Sequence, residues 1–138
     1  MKFTITILLV FMTNLSVMSQ PNLEEKSDSA GNYVLFNSEH LLNVKEGMDR
    51  PYLPFFDNPN LSMGIYKLKV GAIDQQNPHE IDEIYYTMSG KCKFEVEGDS
   101  MDVMAGSILF VKADAIHRFY DIEEDVTLLV FFTKSKEQ

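Results

Sequence analysis

The chain has 138 residues, 45% apolar and 24% charged: enough for one globular domain with a core, too short for two ordinary ones, and not the composition of a disordered or collagen-like chain. Twelve Lys and Arg against 21 Asp and Glu leave a net charge of −9. That balance argues against nucleic acid, whose phosphates call for clustered cations, and against docking to an anionic membrane surface.

Residues 1–19, MKFTITILLVFMTNLSVMS, have the layout of a secretory signal peptide. Lys2 is a short basic start, Phe3 to Met12 is apolar apart from Thr4 and Thr6, and Val17 and Ser19 are small residues before a cleavage point. The run is short of the roughly 20 residues that a spanning helix needs, so cleavage is expected over an uncleaved anchor. The protein is then exported, periplasmic or secreted, and free of the membrane once the signal is removed. The lone Cys92 closes no intrachain disulfide, and in an oxidising compartment it is safer buried than exposed.

Residues 20–32 are polar and read as a flexible leader. Residues 33–60 read as an N-terminal strand and loop packed on the main body. Tyr33–Phe36 is a first strand, Ser38 caps a short helix over Glu39–Val44, and the three prolines of residues 48–60 mark loop. From Leu61 the hydrophobic period becomes two. Gly64, Tyr66, Leu68 and Val70 alternate with Met63, Ile65, Lys67 and Lys69; Cys92, Phe94 and Val96 alternate with charged residues. Gly90-Lys91 and Gly98-Asp99 punctuate as turns. Ile108–Val111, Ile116–Tyr120 and Val126–Phe132 complete a series of short strands, with the acidic residues 121–125 as a solvated turn between the last two. Such a series makes an all-β sandwich or barrel over residues 61–133, followed by a polar tail at 134–138.

The chain has three histidines, His40, His79 and His117. On a strand, Asn77, His79, Ile81 and Glu83 point the same way, because residues two apart share a face. His79 and Glu83 then converge on a metal, and His117 on a later strand supplies a third ligand. Two His and one carboxylate leave open positions, a geometry favoured by non-haem iron; zinc, manganese, nickel and copper also accept it. Taken singly, His79 and His117 are ordinary strand histidines; their joint spacing with Glu83 favours the metal. His40 has no partner pattern and reads as surface or packing. Glu80 and Asp82 point away, toward solvent or a salt bridge. Tyr85 shares the inward parity of Glu83. It either lines the pocket and offers its phenol to substrate or packs in the core. Cys92 reads as a structural thiol, since nothing basic shares its strand face. Phe110, Phe119 and Tyr120 read as barrel lining.

Residues 71–90 resemble the first signature of the cupin superfamily, Gly-x5-His-x-His-x3–4-Glu-x6-Gly, with Gly71, His79, Glu83 and Gly90 in place and Asn77 at the first His position. Residues 106–121 resemble the second, Gly-x5-Pro-x-Gly-x2-His-x3-Asn. Gly106 and His117 match, while Lys112, Asp114 and Asp121 stand at the Pro, second Gly and Asn positions. The two lie in order, fifteen residues apart, and the resemblance covers about residues 60–133. It implies a single-domain double-stranded β-helix, or jelly-roll barrel. It also implies one divalent transition metal per chain on His79, Glu83 and His117, with Asn77, Gln75, Gln76 or water completing the shell. Many single-domain cupins are dimers formed by strand exchange or sheet packing, so the resemblance allows a homodimer, and the outer face of Ile84 and Tyr86 and the strand at Tyr33–Phe36 suit that.

Two function classes follow. One is a metal-dependent enzyme on a small organic substrate, dioxygenase-like or sugar isomerase-like, with Tyr85 orienting substrate. The other is a binding or sensing cupin that holds a sugar or organic acid without turnover. Cupins host many chemistries on one barrel, so the fold does not choose between them.

Overall fold

The computed structural model describes residues 21–134, so the expected signal segment and the tail beyond Lys134 lie outside the described residues. The leader is not uniformly without structure. β1 (Lys26–Ser27) pairs antiparallel with β2 (Val34–Leu35), and Asp28 closes the turn by accepting from the backbone and side-chain amides of Asn32, both at 2.7 Å. Helix α1 (Ser38–Glu46) is capped one residue before the expected Ser38: the Asn37 side chain accepts from the His40 amide at 3.1 Å. His40 is exposed, with Nε2 2.8 Å from the Asn22 carbonyl oxygen. The helix sets Leu41 against Leu53 and Ile65 in a small core of its own.

The proline-rich stretch expected as loop contains a strand. β3 (Tyr52–Asp57) pairs antiparallel with β4 (Leu61–Leu68), at one edge of a six-stranded sheet ordered β3-β4-β8-β5-β6. An edge tolerates Pro54, which has no N–H to give, and the register shifts between Pro54 and Phe56. In β4 the expected alternation holds for Tyr66 and Leu68, which join the barrel core, while Ile65 faces the core under α1. Gly64 has a packing reason: a Cβ there would overlap the Tyr52 ring.

Two expected turns lie within continuous strands. β5 (Glu83–Val96) runs through Gly90, and β8 (His117–Thr133) runs through the acidic residues 121–125, which stand along it rather than in a separate turn. The two strands form an antiparallel ladder whose register shifts between Thr87 and Lys93, and the ribbon bends there. Gly90 is required at the bend. Its φ is +90°, and a Cβ would overlap the Asp125 carbonyl. β6 (Asp99–Met104) flanks the second half of β5, and β7 (Ile108–Val111) the first half. Phe119 is buried between Tyr85 and Phe94, but Phe110 is 65% exposed on the outer face, because it pairs with outward Ile84 rather than inward Tyr85. Val103, Val126, Leu128 and Cys92 fill the rest of the interior.

The bend decides the site. Glu83 is on the first rung of the β5–β8 ladder and His117 on the last. In a flat strand those rungs would lie about 43 Å apart, at about 3.3 Å per residue. Rolled into a barrel, the two side chains meet at 2.8 Å. Among the described residues no helix is long and apolar enough to cross a membrane.

Candidate metal centre

His79, Glu83 and His117 each offer one ligand atom, all within 4.8 Å of one another. Glu83 and His117 are buried, and the His79 side chain is about one-third exposed. His117 Nδ1 lies 2.8 Å from the Ala115 carbonyl oxygen, which can only accept, so Nδ1 carries a hydrogen. Nε2 therefore turns inward, 2.8 Å from Glu83 Oε1, and in the neutral ring it is a lone pair. His79 Nδ1 faces the same carboxylate at 3.3 Å. A lone pair against a carboxylate needs a cation between them. Either a proton makes His117 imidazolium, or a metal takes that place. The donor set thus fits a divalent transition metal.

The electrostatics agree. Burial by itself would raise the Glu83 carboxyl, but bonds from His117 and Tyr85 more than offset it and hold the carboxyl below its ordinary value. Burial would lower His117, and the bonds to Glu83 and Ala115 instead raise it. The protein favours a carboxylate facing a positive charge.

A hydrogen-bonded frame holds this cluster. Tyr85 Oη is buried, 2.8 Å from Glu83 Oε2, 3.0 Å from Gln76 Oε1 and 3.3 Å from His117 Nε2. Behind Gln76 stands Asp74, whose carboxylate accepts from Tyr66 Oη (2.6 Å), Gln76 Nε2 (2.8 Å) and the amides of Phe119 (2.8 Å) and Gln76 (3.2 Å). Asp74 thereby decides which end of the Gln76 amide faces Tyr85. Burial, reinforced by Glu83, pushes the Tyr85 phenol well above its ordinary range, so it stays protonated. The loop that carries His79 is tied down separately. Its carbonyl accepts from the Asp114 amide at 2.7 Å, and the ring packs edge-on against Phe132 at 4.9 Å.

The placement of the sequence-predicted residues is mixed. His79, Glu83 and His117 come together, and Tyr85 joins them from its inward position on β5. Asn77 does not. Residues 72–82 form no strand, so the period-two argument that aligned Asn77 with His79 fails, and Asn77 is exposed. The neighbouring Gln76 is the amide at the site. Asp82 makes no salt bridge among the described residues: its carboxylate accepts from the Ala113 amide at 2.9 Å, pinning the turn before His117. Asp114 and Asp121, at the expected Gly and Asn positions, adopt φ of +65° and +52°. Aspartate tolerates this left-handed region better than most residues, so Asp114 keeps the turn before His117 and Asp121 keeps its place within β8. Sequence reasoning missed Asp74 and Tyr66 as supports; their signal was weak, a carboxylate two residues before Gln76 and an inward tyrosine on β4.

A cavity of about 490 Å³ opens beside the cluster. Tyr85, Tyr66 and Val130 are its buried part; His79, Gln76, Ile81, Tyr52, Phe56 and Phe132 stand around it.

The cupin-domain family model matches residues 64–132, half of the chain. The chain belongs to the cupin family. An uncharacterized protein of Streptomyces coelicolor is 36% identical over 98 residues, covering 71% of this cupin and 93% of the relative. Among solved structures, KdgF from a Halomonas species superposes with a TM-score of 0.56 at 22% identity, over 62% of this cupin and 79% of KdgF. The DMSP lyase DddQ from Ruegeria pomeroyi DSS-3 does so at 0.53 and 20%, over 59% of this cupin and 42% of DddQ. An RmlC-like cupin from Shewanella frigidimarina matches at 0.55 and 20%, over 62% and 77%. At these identities the structural matches speak for the jelly-roll fold alone.

Proposed function

We propose that this cupin is an exported, metal-dependent enzyme acting on a small organic molecule. One divalent transition metal per chain would be held by His79 Nδ1, Glu83 and His117 Nε2. The observation that carries this reading is the convergence of three lone-pair donors within 4.8 Å beside a ligand-sized cavity. When bound, a metal in such a site supplies Lewis acidity or a place for dioxygen. The chain's own residues do the positioning. Ala115 fixes the His117 ring, Tyr85 braces Glu83 and keeps its proton close to the cavity, and Phe132 and Tyr52 exclude water. An oxygenase-like or isomerase-like reaction fits this arrangement, and the DMSP lyase among the fold neighbours is a cupin-fold enzyme. Export rests on residues 1–19; a homodimer through the apolar outer face of Ile84, Tyr86, Ile108 and Phe110 belongs to the same reading.

One observation favours a binding protein instead. Tyr85, Gln76, Glu83 and Asp74 are all hydrogen-bonded within the protein, which leaves no unengaged carboxylate at the cavity floor among the described residues to serve as a general base.

The test is to purify the chain without chelator and count metals by elemental mass spectrometry, beside His79→Ala and His117→Ala. The expected result is near one metal per chain, lost in both variants while circular dichroism keeps the β signature. The absence of metal after reconstitution with iron, zinc, manganese, nickel and copper ends the metalloenzyme reading. A metal-loaded chain stabilised by ligand but turning over nothing supports the binding reading.

A further inference from the structure

The walls of the cavity say what kind of molecule it takes. Tyr52, Phe56, Ile81, Val130 and Phe132 present carbon, with Phe132 set edge-on to both Tyr52 (6.2 Å) and His79 (4.9 Å). The polar groups are few and largely committed elsewhere. Tyr66 Oη and Gln76 Nε2 are bonded to Asp74, and Tyr85 Oη to Glu83 and Gln76. At the rim, Asp57 is ion-paired with Lys134. Among the described residues no Lys or Arg lines the cavity. A molecule bound here is therefore held chiefly by apolar contact along its body, with its polar contact concentrated at the His79 and Tyr85 end and only the Ser62 and Tyr52 hydroxyls beside the body.

From this we infer that the ligand is a ring-containing, largely apolar small molecule with a single oxygen-bearing head, such as a phenol, and not a polyhydroxylated sugar. The inference rests on reading His79, Glu83 and His117 as the metal end of the same cavity. The reason is desolvation. A hexose carries a hydroxyl on nearly every carbon, and each one stripped of water against Phe132, Val130 or Ile81 without a partner loses its hydration uncompensated and weakens binding. An aromatic ring loses nothing comparable, and it gains the edge-to-face contacts already set up by Tyr52, Phe132 and His79. One hydroxyl on that ring reaches His79 and Tyr85. The isomerase-like reaction on a sugar is thereby disfavoured against chemistry on an aromatic or similarly apolar compound.

The experiment uses the full metal-reconstituted chain, with its metal counted by elemental mass spectrometry in the same samples. Binding of 2-naphthol and of D-glucose is measured by calorimetry and by thermal shift. The expected result is that 2-naphthol binds at least about tenfold more tightly than D-glucose and raises the melting temperature where an equal concentration of glucose does not. Ile81→Ser, on the loop before β5, is expected to weaken 2-naphthol about fivefold with metal content unchanged. Should that variant fold poorly, Phe56→Ala on the edge strand β3 replaces it. A metal-loaded chain that prefers glucose, or binds neither probe, overturns the inference and leaves the metal centre standing. A chain that binds 2-naphthol and never takes metal overturns the metal reading and leaves the cavity's preference standing.

Discussion

The two halves of β5 obey the same alternation and bury their inward side chains equally deeply, yet they do different work. Before Gly90 the inward residues are Glu83, Tyr85 and Thr87, each no more than 1% exposed; after it they are Cys92 and Phe94, equally buried. The first half places a carboxylate, a phenol and a hydroxyl in the interior, each of which loses water and needs a partner. The second half loses nothing on burial and contributes the hydrophobic stabilisation that keeps the barrel closed around the first. Gly90 stands between them, and the bend it allows folds the apolar half behind the polar one. A period-two pattern shows which side chains point inward; it does not show which of them the fold can tolerate as polar.

This contrast is open to attack from both sides. The largest expected effect is in the apolar half. Phe94→Ala removes a ring packed against Tyr85, Phe119 and His117 and is expected to destabilise the chain by about 3–5 kcal/mol in urea unfolding. Unchanged stability would deny that half its supporting role.

Next is the frame behind the polar half. Asp74→Asn gives the carboxylate's place to an amide whose one oxygen must serve donors now reaching both oxygens, so Gln76 and Tyr85 lose their fixed orientation. Metal affinity, read by competition with a chromophoric chelator, is expected to fall about 10-fold or more, as for other residues that orient ligands. An unchanged affinity would detach Asp74 from the site.

Cys92 tests burial in the apolar half through its titration. Burial pushes the thiol up to about 11 from an ordinary value of 9.0. Between those two values the unfolded chain has released a proton that the folded chain keeps, so Cys92 makes stability fall as pH rises through that window. Cys92→Ala is expected to flatten that part of the stability–pH curve. In the wild-type fold, iodoacetamide should leave the thiol unmodified at pH 8.5 while alkylating it in urea.

The smallest effect is expected at Thr87, whose buried Oγ1 has no hydrogen-bond partner among the described residues. Thr87→Val keeps the shape and removes the unpaired hydroxyl, so it should stabilise the fold by about 1 kcal/mol. A loss of stability would show that this hydroxyl has a partner after all, and that the polar half is fully satisfied.

Much of the barrel was legible in the chain alone, because hydrophobic alternation and glycine punctuation are local signals. Cys92, Phe94 and Phe119 went inward as their parity required. The elements that were misjudged share one cause. Gly90 and the acidic residues 121–125 look like turns in isolation, but long-range pairing of β5 with β8 supplies the hydrogen bonds that keep both strands continuous. Pro54 looks like loop, and only its place on an edge strand makes it acceptable.

The site divides in the same way. Histidine and glutamate at positions 79, 83 and 117 were recognisable from type and spacing, although His79 stands on the loop before β5 and not on a strand. Asn77 was placed by strand parity where there is no strand, and Gln76 stands at the site in its stead. The contact of Glu83 with His117 belongs to tertiary structure alone: one begins β5, the other begins β8, and only the rolled ladder closes the gap. The same closure decided that Asp74 reaches the Phe119 amide, 45 residues away in the chain. It also decided that aromatic side chains from β3 and β8 wall one cavity. The donor types were local, carried by residue identity; their geometry and the character of the space beside them depend on backbone bends that no short stretch of sequence encodes.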